Sequence, residues 1–157
     1  MTFSELAPRL EGLMAALEPR MSAQPEKWWA EPWAPGKWRR LEVLGHLIDS
    51  AANNHLRFVR AMIEPSVEAR GYDAGACVRV QRYAAAPLGL TITLFCSYNR
   101  MLSHVLAQVP AAWLAAPCRI GSNDPVTLED LAIDYVAHLE HHLRQIFGSV
   151  DAGRTDA

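Results

Sequence analysis

The stretch Leu41–Ala61, LEVLGHLIDSAANNHLRFVRA, constrains the fold more than any other part of the chain. At about 100° per residue, Val43, Leu44, Leu47, Ala51, Phe58 and Met62 fall on one arc, which predicts a long amphipathic helix over Trp38–Ile63. His46, Ser50, Asn53 and Arg57 form a polar stripe along one border of that arc. Asn54 and His55 fall inside it, as buried polar groups that need partners. A helix with one apolar stripe must be covered by others, so this segment asks for a bundle.

Three further segments answer that demand. Thr2–Glu18 places Phe3, Leu6, Leu10, Leu13, Met14 and Leu17 at helical spacing, with Thr2 or Ser4 to cap it. Leu88–Val109 does the same with Leu90, Leu94, Tyr98, Met101, Leu102, Val105 and Leu106, and Pro110 stops it. Cys96 and His104 on this helix read as packing or surface residues. Thr127–Phe147 opens with Thr127-Leu128-Glu129-Asp130, a capping box with Asp in place of Glu, and closes at Gly148. No strand-like alternation persists, so the fold class is all-α, a four-helix bundle over residues 1–148. Residues 149–157 are polar and are expected to form a disordered tail. Ser66–Pro87 is too long for a hairpin and predicts a crossover along the bundle, with a helical turn near Ala76–Arg82. Ala111–Val126 reads as a second loop.

Histidines lie where two of these helices can meet. Asp134–His142 carries His138 and His142 four residues apart, on one helix face. Leu128, Leu131, Tyr135, Leu139, Leu143 and Ile146 define the apolar direction of that helix. His142 lies toward it, and His141 lies opposite with Asp130 and Asp134. Antiparallel packing would bring His46, near one helix start, to His138 and His142, near the other helix end. Two readings stand: a divalent metal on His46, His138 and His142, or three satisfied histidines in a polar layer. On the first, three neutral imidazoles leave positions open for water or substrate and favour hydroxide, thiolate or carboxylate there. Asp49 and Asp134 are each either supports of the histidines or surface carboxylates.

Several classes drop out. No HExxH occurs, so a zincin protease is not indicated. A net charge of −2 argues against a nucleic-acid surface. Three scattered cysteines argue against a disulfide framework and for a cytoplasmic setting. No apolar run is long enough for a membrane span.

WRRLEVLGHLIDSAANNHLRFVRAM and DYVAHLEHHLRQI resemble the signature of the DinB/YfiT-like family of metal-binding four-helix bundles. Gly71-Tyr72-Asp73 resembles a tyrosine-aspartate element in that family's crossover. The resemblance, over about 37–147, implies an up-down-down-up bundle and a metal, zinc or nickel, on His46, His138 and His142. It also implies a homodimer and an enzyme that uses bacillithiol, mycothiol or glutathione as a low-molecular-weight thiol cosubstrate. Other members are described as metal-dependent hydrolases or stress-induced proteins. Two positions depart from the pattern: Arg39 replaces a small capping residue, and Cys77 stands where relatives often carry tryptophan, as a candidate reactive thiol.

The functional expectation is a metal-dependent enzyme acting on a small molecule, by thiol transfer or by hydrolysis. A non-catalytic metal- or ligand-binding module is the alternative from another class. Trp38, Ser50, Asn53 and Tyr83 are the expected pocket residues. The Pro- and Trp-rich connection Pro19–Lys37, with Trp28, Trp29 and Trp33, either packs over the bundle end or walls the pocket. Arg57 is expected to be structural and to pair with Glu129, Asp130 or Asp134.

Overall fold

The structure is a computed structural model that describes residues 1–148, so the expected tail lies outside the described residues. In chain order the elements are α1 (Phe3–Ser22), α2 (Glu26–Ala30), α3 (Arg40–Ala61), β1 (Val67–Ala69), α4 (Ala74–Gln81), α5 (Leu88–Ala107), β2 (Pro117–Ile120), β3 (Val126–Thr127) and α6 (Leu128–Phe147). The four long helices build the bundle. α1 packs on α5 and α6, and α3 packs on the same two. Leu6, Leu10, Leu13, Met14, Leu17 and Met21 bury the whole inner stripe of α1. That stripe carries α1 through Pro19 to Ser22, beyond the expected end at Glu18. Proline removes one backbone donor, and the burial of Met21 outweighs the loss.

Side-chain pairs give the helix directions. Glu18 meets Arg100 while Ala7 meets Ser103, so α1 and α5 run antiparallel. Arg9 pairs with Glu140 and Arg20 reaches the carbonyl of Phe147, so α1 and α6 run parallel. His46, early in α3, stacks on His138, whereas Phe58, late in α3, stacks on Tyr135. α3 and α6 are therefore antiparallel, and the order is up-down-down-up. Inside, the Tyr135 hydroxyl donates to Asn99 Oδ1 at 2.6 Å, and Asn99 Nδ2 donates to the Phe95 carbonyl at 2.9 Å. This buried link satisfies the polar groups that join α5 to α6.

The fold is not free of strands, contrary to the sequence expectation. β1 pairs with β2 in parallel, Val67 opposite Cys118, and β2 pairs with β3 antiparallel. Strands of two to four residues are too short to show alternation, and their pairing is decided by contacts distant in sequence. The small sheet ties the crossover to the α5–α6 connection and lies against both α3 and α6.

Both helix starts of interest are capped. Thr127 Oγ1 accepts from the Asp130 amide at 3.0 Å, as the capping box requires. At α3, Arg39 cannot accept, but Glu42 Oε2 accepts from the Arg39 amide at 2.8 Å, which keeps half of a box. The tryptophan-rich connection packs at the bundle end: Trp29 is buried, Trp28 lies 5.4 Å from Phe147, and Arg40 stacks over Trp28. Among the described residues no helix is long and apolar enough to cross a membrane.

The crossover presses on α3 one residue before His46. Asp73 caps α4, and Arg82 (φ 54°) turns the chain so that Tyr83 lies flat on Gly45. A Cβ at Gly45 would sit 2.2 to 2.5 Å from the Tyr83 ring. The Tyr83 hydroxyl donates to Asp49 Oδ1 at 2.8 Å. Glycine inside a helix is normally a cost, and here it is the only residue that admits this ring. Gly45→Ala is expected to lower unfolding free energy by about 1–3 kcal/mol. In a Tyr83→Ala background the same change should carry no penalty; denaturant titration of the four proteins checks this.

Candidate metal centre

His46 and His138 approach through their Nε2 atoms at 3.3 Å, and His138 and His142 through theirs at 3.1 Å. One ligand atom from each of the three lies within 4.8 Å of the others. Nitrogens held about 2.0–2.1 Å from a tetrahedral ion stand about 3.3–3.4 Å apart, and on an octahedral face about 2.9 Å apart. Hydrogen bonding does not explain the arrangement. An imidazole nitrogen has either one lone pair or one proton, yet His138 Nε2 faces two other nitrogens at once. Two of the three separations match those coordination edges, and three imidazole donors gathered in one place are what a divalent cation requires, so the residues fit the ion that the spacing predicts.

The electrostatics agree. Burial, together with the nearby His142 and His138, pushes His46 from its ordinary 6.5 down to about 4. Burial also lowers His138, where neighbouring His142 adds to it and Asp134 opposes it. His142 is likewise lowered by burial, against its hydrogen bond to Gln145. All three are neutral near pH 7, with lone pairs available for coordination.

The supports differ from those expected. His142 Nδ1 donates to Gln145 Oε1 at 2.7 Å, which leaves the lone pair on Nε2, and Gln145 Nε2 donates to His141 at 3.0 Å. Gln145 went unnoticed in the sequence, although its place three residues after His142 and four after His141 was a legible signal. His141 is exposed, on the far side of His142 from the cluster. Asp49 does not support a histidine: it accepts from Tyr83 and from Gln81 Nε2, both in the crossover. Asp134 makes no hydrogen bond to an imidazole and sits exposed, acting on His138 through its charge. His46 Nδ1 is buried without a hydrogen-bond partner among the described residues.

A cleft of about 430 Å³ opens beside the cluster and has His138 in its wall. Ser50, Asn54 and Arg57 line it from α3, and Leu131, Asp134 and Tyr135 line it from α6. Ile120 and Val126 of the sheet, with Tyr72 of the crossover, close its other sides. Of the expected pocket residues only Ser50 lines this cleft. Trp38 packs on the His46 ring at 5.5 Å, Asn53 donates to the Asp49 carbonyl, and Tyr83 covers Gly45. Trp28 and Trp33 line a separate hollow at the bundle end, and Cys77 lies on α4, outside the cleft. Arg57 finds no carboxylate, contrary to expectation: it donates to Asn54 Oδ1 and to the Arg70 carbonyl. Asp130 is engaged by its own cap, at 2.7 Å from Thr127 Oγ1, and Asp134, exposed at the cleft wall, makes no ion pair with Arg57.

Comparison with known proteins places this architecture. Residues 9–146 match the DinB superfamily. A Bacillus pumilus (strain SAFR-032) protein named "Putative metal-dependent hydrolase" is 28% identical over 116 residues, 73% of this chain and 66% of that one. "Putative metal-dependent hydrolase YfiT" of Bacillus subtilis (strain 168) is 25% identical over 87% of this chain and 78% of its own length. The solved structure of the Bacillus subtilis YfiT, described as an unusual four-helix bundle topology, superposes with a TM-score of 0.84 at 22% identity. That superposition covers 92% of this chain and 83% of that one.

Alanine at His46, His138 or His142 is expected to abolish stoichiometric divalent metal measured by elemental analysis on untagged protein, and His141→Ala to leave it intact. A second expectation concerns the orphaned Nδ1. In metal-free protein the unfolded chain binds the His46 proton below about pH 6.5 while the folded chain resists it to about 4. Stability present above pH 6.5 is therefore lost as pH falls toward 4. His46→Leu removes this titration and an unsatisfied buried group, so it should reduce the pH dependence, leaving the part that His138 and His142 contribute, and raise metal-free stability by about 1 kcal/mol or more. Thermal melts across that pH window, with chelator, read both effects.

Proposed function

The chain belongs to the DinB superfamily, and on that footing we propose that it is a metal-dependent enzyme acting on a small molecule bound in the cleft beside His138. The observation that carries the proposal is the convergence of three neutral imidazoles at 3.1 and 3.3 Å, one of which, His138, lines the neighbouring cleft. His46, His138 and His142 would hold a divalent ion, with zinc or nickel the choice that the family resemblance implies and imidazole donors suit. Such an ion supplies Lewis acidity, which lowers the pKa of a thiol or water at its open position. The chain's own residues do the rest. Gln145 fixes the tautomer of His142, Trp38 covers one face of His46, and Tyr135 and Leu131 provide a water-poor wall.

Thiol transfer is the leading reading, because among the described residues no carboxylate or imidazole is hydrogen-bonded to the cluster as a general base. A thiol that ionises on binding needs none. The three free cysteines accord with a cytoplasmic setting, where small thiols are abundant. Hydrolysis is the second reading, favoured by the names of the relatives and by Asp134, one turn before His138 on the cleft wall, as a base.

The test offers the zinc- or nickel-loaded protein bacillithiol, mycothiol or glutathione with a chromogenic electrophile, and in parallel an ester and amide panel. Thiol-dependent turnover that requires metal and falls at least about a hundredfold in His46→Ala is expected. Metal-dependent ester or amide cleavage without thiol turnover would assign the hydrolase. Bound metal with neither activity would assign a binding module.

A further inference from the structure

Arg57 is a buried cation with no countercharge. Its side chain lies in a residue only 8% exposed, on the cleft wall, two turns along α3 from Ser50. A guanidinium has five N–H donors. Here Nη1 donates to Asn54 Oδ1 at 3.3 Å and Nη2 to the Arg70 carbonyl at 3.2 Å. The other donors have no protein partner among the described residues, and none of the ion pairs there includes Arg57. Both protein acceptors are neutral, so they orient the fork without neutralising it. A planar fork left free in a low-dielectric groove is a receptor for a planar anion.

We propose that the cleft recognises its substrate through a carboxylate bound by Arg57, at the opposite end from the histidine cluster. This deepens the metal-dependent reading and rests on it for the identity of the reacting end. The eleven residues from His46 to Arg57 rise about 16 Å, and the arginine side chain, about 6 Å long and leaning back toward Asn54, leaves about 10 Å between the cluster and the guanidinium. Between the two ends Ile120, Val126 and Leu131 give the mixed lining an apolar strip. The substrate class is therefore a small molecule with a reactive head, an aliphatic middle and a carboxylate about 10 Å away. Asp124, Asp130 and Asp134 stand around the same cleft. Their charges repel a doubly charged phosphate about twice as strongly as a singly charged carboxylate, so they favour the carboxylate beside Arg57.

The test uses 6-mercaptohexanoate, 6-mercaptohexanol and 6-mercaptohexyl phosphate as probes of one length, titrated by calorimetry onto the metal-loaded full chain. The acid is expected to bind about tenfold or more tighter than the alcohol, as a charged hydrogen-bond pair implies. Arg57→Met should erase this preference while leaving affinity for the alcohol unchanged, and Arg57→Lys should restore part of it. A purely structural arginine would not move the ratio of acid to alcohol. Should Arg57→Met fail to fold, the wild-type ratio alone decides. Equal affinity for acid and alcohol overturns the proposal, and tighter binding of the phosphate overturns the choice of carboxylate. Hexanoate and hexanol on chelated protein, with metal content measured separately, read the Arg57 end alone. A preference for hexanoate there supports the proposal even if the cluster binds no metal.

Discussion

The antiparallel contact between α3 and α6 is the interaction on which the rest depends. Apolar stripes alone would allow the two helices to slide by a turn. Specific contacts in the seam remove that freedom, because the three histidines and the Phe58–Tyr135 pair meet at only one register. His46 meets His138 and His142 at one end, and Phe58 meets Tyr135 toward the other. Tyr135 is in turn held by Asn99 of α5. A slip of one turn would bury several of these groups unpaired, which is far more costly than a change of apolar contact. The seam is thereby specified by its polar groups and stabilised by its apolar ones.

The connections serve this seam rather than merely spanning it. The crossover lays Tyr83 on Gly45 and ties Asp49 to Tyr83 and Gln81, which bolts α3 from outside. The small sheet joins the crossover to the α5–α6 connection and roofs the groove between α3 and α6. A two-helix groove would be open to water along its length. The roof makes it a partly covered cleft, in which charges on Arg57 and on a bound ion would be screened less than at the open surface.

Function and stability pull apart at two points in this cleft. His46 leaves Nδ1 without a partner, and Arg57 leaves a charge without a countercharge. Burial works against the ionised form of each, lowering both from their ordinary values. Groups held in this way are poor at stabilising a fold and well prepared to receive a ligand. Arg57 lines the cleft directly, and His46 meets His138 on the cleft wall at the other end. The surrounding core is well packed, with Leu6 to Met21 of α1 wholly inside, so the bundle tolerates both.

Periodicity made the four helices legible in the sequence, because each long helix buries one stripe and a stripe of 3.6-residue period needs no knowledge of its partner. The same reasoning separated His142 from His141, since a helix wheel already says which side is apolar. The meeting of His46 with His138 and His142 followed from one assumption, that α3 and α6 run antiparallel. What the sequence could not show were the relations between segments with no period of their own. Strands of two to four residues carry too few side chains to alternate, so the roof of the cleft existed only once β1, β2 and β3 were paired. Asp49 looked like a support for His46 because it is one turn away, but three residues rotate a side chain by about 60° from its starting direction, here toward Tyr83. Arg57 looked paired because carboxylates lay on the facing helix, yet Asp130 was spent on its own cap and Asp134, exposed at the cleft wall, made no ion pair with it. Local chemistry along one helix was determined by the sequence itself; which groups are left without a partner was decided only by tertiary structure, because a partner is defined by distance in space and not by spacing along the chain.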